Sequence, residues 1–164
     1  MRMPAFTELD AEQLRVYQGA PPDGSVLVVG PPGTGKTIMA FHRAQMLREL
    51  GQRPSLIMYN SVLSSFVASG HRIATGLEVR TMHKWVTAWF YGMTGSPAPS
   101  VGWDVQWALV QQRVLAVAAS GKLGKANWGH LIIDEGQDFP SEMYEALSML
   151  AVGVNWRGPA PALT

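Results

Sequence analysis

The sequence predicts an α/β fold in which helices flank a mostly parallel sheet. Short apolar runs at 25–29, 55–59 and 130–133 have the composition of strands buried on both faces, and 77–80 is a weaker strand candidate. Segments with the apolar spacing of helices separate these runs. Strands that alternate with helices favour parallel pairing through right-handed crossovers, and no tandem repeat interrupts the pattern.

Six helices are expected around these strands. Asp10, with Gln13 three positions later, has the pattern of a capping box at the start of the first helix. Asp104 is expected to cap the fifth helix, with Trp103 as part of its mostly buried apolar set. Gly, Pro and Ser residues predict a loop insertion near 92–103. The helical ranges are 7–18, 36–50, 61–69, 82–91, 104–119 and 141–150.

Composition excludes several classes of protein. With 164 residues, 47% hydrophobic, and a net charge of +1, the chain suits one domain over 1–164 and is too apolar for disorder. It has no cysteine, which excludes disulfide scaffolds, thiolate zinc sites and cysteine nucleophiles. No apolar run reaches the length of about 18 residues that a membrane helix needs, and 1–6 does not read as a signal peptide. We therefore expect a cytoplasmic protein with no membrane partner.

A glycine-rich loop between the first strand and the second helix fits G-x-x-x-x-G-K-[ST] in full. Glycines let backbone N–H groups turn inward around phosphate oxygens, and the following helix directs its positive end at the same anion. Lys36 would bind the β and γ phosphates, as a catalytic and a binding residue, and Thr37 would offer its hydroxyl to Mg²⁺. The expected nucleotide-binding residues are Gly30, Pro31, Pro32, Gly33, Thr34, Gly35, Lys36 and Thr37.

Two carboxylates follow the apolar strand at 130–133. At the carboxyl end of a parallel strand, Asp134 and Glu135 would face the ligand crevice beside the phosphate loop. Asp134 is the candidate for holding Mg²⁺, together with Thr37. Glu135 is the candidate catalytic base that orients and deprotonates an attacking water.

The residues around these carboxylates resemble a known family. The sequence DEGQDF at 134–139, with GPPGTGKT at 30–37, resembles the DExQD signature and phosphate loop of superfamily 1 helicases of the UvrD/Rep type. This resemblance implies a RecA-like P-loop NTPase fold, ATP and Mg²⁺ as ligands, and a place for Gln137 in the nucleotide site. The segment 9–13 resembles the Q motif, which implies that Gln13 reads the adenine edge.

Two further segments resemble motifs that line the path of single-stranded DNA in this family. Asn60, after the second strand, is similar in position to motif Ia, and Thr81-Met82-His83 resembles the T-x-H motif Ib. The resemblance implies that Asn60, Thr81 and His83 contact single-stranded DNA, with RNA as the alternative. The residues alone leave other interpretations open: a helix cap for Asn60, a turn threonine for Thr81, and a helix-start histidine for His83.

The sequence departs from the family in three places. Ile38 stands where UvrD has an arginine, and 59–61 lacks the Thr-Phe-Thr run of motif Ia. Family members continue after the DExQD helix into another strand and a second RecA-like domain with arginine fingers, whereas 159–164 ends the sequence where that strand would begin. The resemblance therefore implies the N-terminal RecA-like domain, incomplete at its C-terminus. Its hydrolysis would be weak without the second half in a longer parent.

Three functions remain open from the sequence. The first is the ATP-binding half of an ATP-dependent helicase or translocase on single-stranded nucleic acid. The second is a non-catalytic nucleotide-binding remnant or interaction module, against which Glu135 argues because binding alone needs no base. The third is a P-loop kinase, which Gln13 and Gln137 disfavour. Trp85 and Trp89, four positions apart on one helix, are expected in the core rather than stacked on bases.

Overall fold

A three-stranded parallel sheet forms the centre of the protein, a computed structural model of which describes residues 6–20, 26–59, 77–121 and 129–153. Strand β1 (Pro54–Met58) lies between β2 (Glu78–Thr81) and a later strand (His130–Asp134), to which it also pairs in parallel. The predicted helix at 61–69 and Asn60 lie outside the described residues. Helices flank the sheet, so the predicted α/β architecture is confirmed.

The helices follow the strands in chain order. A short 3-10 helix (Phe6–Glu8) precedes α1 (Ala11–Gly19), and α2 (Lys36–Glu49) follows the glycine-rich loop. Strand β2 runs directly into α3 (Met82–Thr94). The remaining elements are β3 (Ser100–Val101), β4 (Asp104–Val105), α4 (Trp107–Ala119), β5 (His130–Asp134), a 3-10 turn (Gly136–Asp138) and α5 (Ser141–Gly153). Of the helices in the described ranges, none is long and apolar enough to cross a membrane.

The two faces of the sheet bury different sets of residues, because successive side chains of a strand point to opposite sides. On one face, Leu56, Met58 and Ile132 pack against Phe41 and Leu47 of α2. On the other face, Ile57, Leu131 and Ile133 pack against α3, α4 and α5. The expectation that Trp85 and Trp89 belong to the core is confirmed: both are buried, with their rings stacked 5.3 Å apart.

The predicted strand at 25–29 is wrong for the part that the structure describes. Residues 26–30 belong to no strand, and the side chains of Leu27 and Val29 are 84% and 83% exposed. The physical reason is the missing neighbour. Strand β5 pairs with β1 along one edge, and none of the described strands pairs with its other edge, where a cleft separates it from 26–30. An apolar run becomes a buried strand only when neighbours cover it.

The start of the fifth predicted helix is also wrong. Strand β3, in the predicted loop insertion, pairs with β4, at the predicted start of the helix, as a small antiparallel hairpin, and α4 begins at Trp107 with Gln106 at its N-cap. Gly102, at φ +60°, allows the tight turn, and Trp103 beside it is 82% exposed rather than part of a buried helix. The hydrogen bonds of the hairpin take Asp104 and Val105 away from the helix.

We expect the isolated chain to self-associate through the apolar segment 26–29 and the uncovered edge of β5, since such surfaces promote association. Sedimentation velocity should show concentration-dependent association in the micromolar range. Leu27→Lys should weaken it about tenfold or more, because it removes an apolar side chain and adds a charge. Leu109→Lys, at a partly exposed leucine of α4, serves as the matched control. A monodisperse monomer at all concentrations would contradict the expectation.

Candidate functional site

A cleft of about 510 Å³ lies between the segment 26–30, the start of α2 and the end of β5. Its walls combine apolar side chains with Lys36, Asp134, Glu135 and Gln137. Most of the lining is apolar and comes from 26–29, α2 and β5, whereas the segment 30–37 contributes Gly30 and Lys36, so the cleft adjoins the glycine-rich loop. The sheet register explains where β5 ends, because Met58 of β1 aligns with Asp134 on one side and Thr81 on the other, so all three strands end at the same edge.

The glycine-rich loop makes a tight turn just before α2. Gly33 and Gly35 have φ values of +83° and +81°, a region that favours glycine. Thr34 Oγ1 donates to the carbonyl oxygen of Pro31 at 2.8 Å. Gly35 is the N-cap of α2 without a capping side chain, so amide groups of the first turn remain available to an anion. The loop therefore has the conformation that cradles a phosphate.

Lys36 lies over this loop. Its Nζ donates to the carbonyl oxygens of Gly30 at 2.8 Å and of Pro31 at 3.0 Å. The ammonium group is thus held at the mouth of the loop by neutral acceptors. A phosphate oxygen would replace these carbonyl oxygens as the acceptor and would form a stronger, charge-assisted hydrogen bond with the ammonium group.

Thr37 and Asp134 meet beside the cleft, which Asp134 lines. Thr37, the second residue of α2, donates its Oγ1 hydrogen to Asp134 Oδ2 at 2.8 Å, across 97 positions of sequence. A hydroxyl and a carboxylate oxygen in contact suit Mg²⁺, which takes oxygen ligands and usually one or two carboxylates plus phosphate and water. The described residues contain no cluster of three or more His, Cys, Asp or Glu side chains that could hold a metal ion on its own. The residues fit a magnesium ion shared with a phosphate ligand.

Asp134 is buried, and this burial is the main cause that raises the pKa of its carboxyl group. The hydrogen bond from Thr37 acts in the opposite direction and lowers this pKa, whereas the neighbouring charge of Glu135 raises it. The carboxylate is therefore destabilised in the absence of a cation. A bound Mg²⁺ would favour the charged form and remove much of that cost.

Asp134→Asn is expected to stabilise the metal-free protein at neutral pH. A carboxyl whose pKa is raised by folding contributes stability below its unfolded pKa, and this contribution is lost as the pH rises through the folded pKa. The unfolding midpoint of Asp134→Asn should exceed that of the parent by a few degrees at pH 7. The difference should vanish at a pH of about 3, below the ordinary aspartate pKa. Thermal unfolding from pH 3 to 8 measures this. Asp104→Asn, at an exposed aspartate, is the control, and equal midpoints at pH 7 would contradict the expectation.

Glu135 has a left-handed backbone conformation, with φ 54° and ψ 44°, and is the one non-glycine residue with positive φ in the described ranges. Such a conformation costs about 1–2 kcal/mol and is common at active sites. The following 3-10 turn holds it, since Asp138 N donates to Glu135 O at 2.9 Å. Gln137 Nε2 donates to Glu135 Oε2 at 2.6 Å. Gln137 therefore orients the exposed carboxylate in the cleft.

Tyr144 of α5 also holds this turn. Its Oη donates to the carbonyl oxygen of Gly136 at 2.7 Å, and burial raises the pKa of the phenol, so it stays protonated as a donor. A side chain on Gly136 would meet this hydroxyl, since a Cβ there would lie 2.9 Å from Tyr144 Oη. Tyr144 was not among the predicted site residues. Its helical spacing beside the buried Met143 does not distinguish it from any other half-buried residue of α5.

Gln13 lies beside the glycine-rich loop. The predicted capping box is confirmed, because Gln13 N donates to Asp10 Oδ1 at 2.8 Å and Asp10 N donates to Gln13 Oε1 at 3.1 Å. The Nε2 of Gln13 donates to the carbonyl oxygen of Thr34 at 3.1 Å. The side chain thus joins α1 to the loop.

Two of the three predicted nucleic-acid residues, Thr81 and His83, lie at the end of β2 and the start of α3. Thr81 ends β2 and is half-buried, and Asn60 is outside the described residues. His83, in the first turn of α3, contacts the carbonyl oxygen of Trp103 through Nε2 at 2.5 Å, and its ring meets the indole edge-on with centroids 5.9 Å apart. His83 therefore anchors the β3–β4 hairpin, a contact that sequence spacing did not indicate.

Comparison with known protein families shows the class of this domain. A family model described as AAA domain matches residues 13–155, from Gln13 to α5, which is most of the chain. The chain belongs to this family of P-loop NTPase domains. No curated protein and no solved structure matches it. This AAA domain is of a kind found in UvrD/Rep-like helicases, and membership makes the chain a P-loop nucleotide-binding domain, a kind that usually takes its ligand with Mg²⁺.

Proposed function

We propose that this AAA domain binds ATP with Mg²⁺ and hydrolyses it as one half of a helicase-type motor of the UvrD/Rep class. The observation that carries the proposal is the meeting of Thr37 and Asp134 at 2.8 Å, next to Lys36 and Glu135, which line the adjoining cleft. These groups come from two segments about a hundred residues apart, and each has a distinct part to play in phosphoryl transfer. A binding module would need no base at Glu135.

Each of these side chains has its own role in the proposed reaction. Lys36 exchanges the carbonyl oxygens of Gly30 and Pro31 for the β and γ phosphates. Thr37 and Asp134 hold Mg²⁺, which when bound neutralises charge on the phosphate oxygens. Glu135 accepts the proton of the water whose oxygen bonds to the γ phosphorus. The bond from that phosphorus to the bridging oxygen breaks, and ADP leaves.

We further propose that the site is half of a composite site. Among the described residues that line the cleft, the cations are Lys36 and Arg43. Arg43 lies beneath the cleft, where its guanidinium donates to the carbonyl oxygen of Ala20 at 3.1 Å. Charge that develops on the γ phosphate would then be stabilised by an arginine from a second RecA-like half, an effect worth about 10³–10⁵ in rate. Turnover by this domain alone is expected to be slow.

Single-stranded DNA is the proposed polymer substrate, with RNA as the alternative. Support comes from the resemblance of Thr81 and His83 to motif Ib and from the register that ends β2 level with Asp134. A nucleic acid that crosses this edge would touch residues on the sheet that also holds the nucleotide. ATP-driven movement of one half against the other would shift these contacts.

The test is ATP binding and hydrolysis with and without single-stranded DNA, with Lys36→Ala as the blank. Tight binding of Mg-ATP with slow turnover that DNA stimulates would support the proposal. Binding without any turnover above the blank would favour the nucleotide-binding module. Fast turnover by the domain alone would contradict the half-site, and absence of Mg-ATP binding would contradict the proposed function as a whole.

A further inference from the structure

The hydrogen bonds inside the turn that carries Glu135 do not fix the position of that turn in the fold. Asp138 N donates to Glu135 O at 2.9 Å, and Phe139 N donates to Gly136 O at 3.3 Å. Gln137 Nε2 donates to Glu135 Oε2 at 2.6 Å. Donor and acceptor lie within the same few residues in each case, so all three bonds would move together with the turn. The buried ring of Phe139 anchors the end of the turn in the core, and its start needs another anchor.

Tyr144 joins the start of the turn to a rigid part of the fold. Its Oη donates to the carbonyl oxygen of Gly136 at 2.7 Å. Tyr144 lies in the first turn of α5 beside Met143, which is fully buried, and its own ring packs partly buried against the same core. A packed core allows little movement, so the hydroxyl group is held in place. The bond therefore fixes the peptide between Gly136 and Gln137.

We propose that Tyr144 is a positioning residue for the base Glu135 and acts through the peptide between Gly136 and Gln137. The contacts run from Tyr144 Oη to Gly136 O, across that peptide to Gln137, and from Gln137 Nε2 to Glu135 Oε2. A general base must reach the proton of the attacking water, and a displacement of about 1 Å can lower a rate by about 10²-fold. The bond of Tyr144 thus keeps the carboxylate where the water is attacked.

This inference rests on the proposed function, because it assigns to Glu135 the role of base in ATP hydrolysis. It has a specific consequence for rate and affinity. Tyr144 lines the cleft, but its hydroxyl hydrogen is directed to Gly136 and is not offered to a phosphate. Removing that hydroxyl should slow hydrolysis and leave the affinity for Mg-ATP unchanged.

The first experiment measures single-turnover hydrolysis and calorimetric binding of Mg-ATP in Tyr144→Phe, well below its unfolding midpoint. The variant keeps the packed ring and removes only the donor. We expect hydrolysis to slow about fivefold or more, the size of one lost hydrogen bond, with a dissociation constant within about twofold of the parent. Tyr91→Phe, at an exposed tyrosine of α3, should change neither. Parental hydrolysis in Tyr144→Phe, or a loss of affinity as large as the loss of rate, would overturn the proposal.

Gly136→Ala disrupts the same contact from its other side. A Cβ on Gly136 would lie 2.9 Å from Tyr144 Oη, closer than real Cβ atoms come, whereas Ile133 Cγ2 would be at an ordinary 3.8 Å. Gly136 has no positive φ, so alanine brings no backbone strain there. Gly136→Ala should slow hydrolysis about as much as Tyr144→Phe, and the double variant should be no slower than the slower single one. Parental hydrolysis in Gly136→Ala, or losses that multiply in the double variant, would overturn the proposal.

If the parent protein hydrolyses no ATP, the proposed function fails, and the contacts of Tyr144 are judged by NMR on the ligand-free protein. The side-chain amide resonances of Gln137 report its bond to Glu135, and hydrogen exchange of the Asp138 amide reports the closure of the turn. In Tyr144→Phe the resonances should shift and the exchange should be about fivefold faster. Tyr91→Phe should show neither change. Parental resonances or parental exchange in Tyr144→Phe would overturn the inference.

Discussion

ATP hydrolysis is expected to fall by about 10²–10⁴-fold in Glu135→Gln, the usual worth of a general base, while Mg-ATP binding stays within about twofold. The substitution keeps the shape of the side chain and an oxygen that can accept from Gln137, but it removes the site that takes the proton of water. Binding should survive because the proposed phosphate and metal contacts come from Lys36, Thr37 and Asp134 and not from Glu135. The measurement is single-turnover hydrolysis with protein in excess, which resolves slow rates, beside calorimetric binding.

Glu142→Gln is the matched control for this variant, since Glu142 is an exposed glutamate in the first turn of α5. It should hydrolyse ATP at the parental rate. Parental turnover in Glu135→Gln would remove Glu135 from the role of base. A parallel loss of Mg-ATP binding would mean that the substitution disrupts the turn at Glu135 and not only the proton transfer. A lowered unfolding midpoint would identify that outcome.

Loss of ATP binding by about 10²-fold or more is expected in Lys36→Ala. Each charge-assisted hydrogen bond is worth about 1.5–3 kcal/mol, and Lys36 is proposed to contact two phosphates. The folded protein should tolerate the change, because the hydrogen bonds of Lys36 to other described residues go to carbonyl oxygens of its own loop. Calorimetry with Mg-ATP and Mg-ADP measures the effect. The loss should be smaller for ADP, which lacks the γ phosphate.

Lys84→Ala provides the control, because it removes an exposed lysine from α3. Binding of Mg-ATP should not change in this variant. If Lys36→Ala bound Mg-ATP as tightly as the parent, the glycine-rich loop would not be the phosphate site, whatever its conformation. A variant that lost binding together with its unfolding transition would instead assign Lys36 a structural role, so thermal unfolding accompanies the binding measurement.

The phosphate loop and the capping box could be predicted because their contacts are local. Within the loop, Thr34 bonds to Pro31, and Lys36 bonds to Gly30 and Pro31, all within six positions. Such short-range geometry follows from glycine conformation and from residue spacing. The same holds for Asp10 and Gln13, three positions apart at the start of α1.

Burial was predicted less well, because it depends on neighbours that are distant in sequence. The apolar run at 26–29 has the composition of a covered strand, yet Leu27 and Val29 are exposed. Trp103 was expected in a helix and lies exposed in a hairpin turn, where His83, 20 positions earlier, holds its carbonyl oxygen. Composition indicates how much free energy a side chain would gain on burial. It does not indicate whether another helix or strand packs against that side chain.

The sequence by itself determined the chemical identity of the site: a phosphate loop, a hydroxyl and two carboxylates, each readable from its immediate neighbours. Only the tertiary structure decided how these groups meet. Parallel pairing of β5 with β1 sets the register that brings Asp134 to Thr37, 97 positions away, and the packing of α5 brings Tyr144 onto the turn that holds Glu135. Contacts of this range depend on which strands become neighbours, and the order β2-β1-β5 joins strands that long connections separate in sequence.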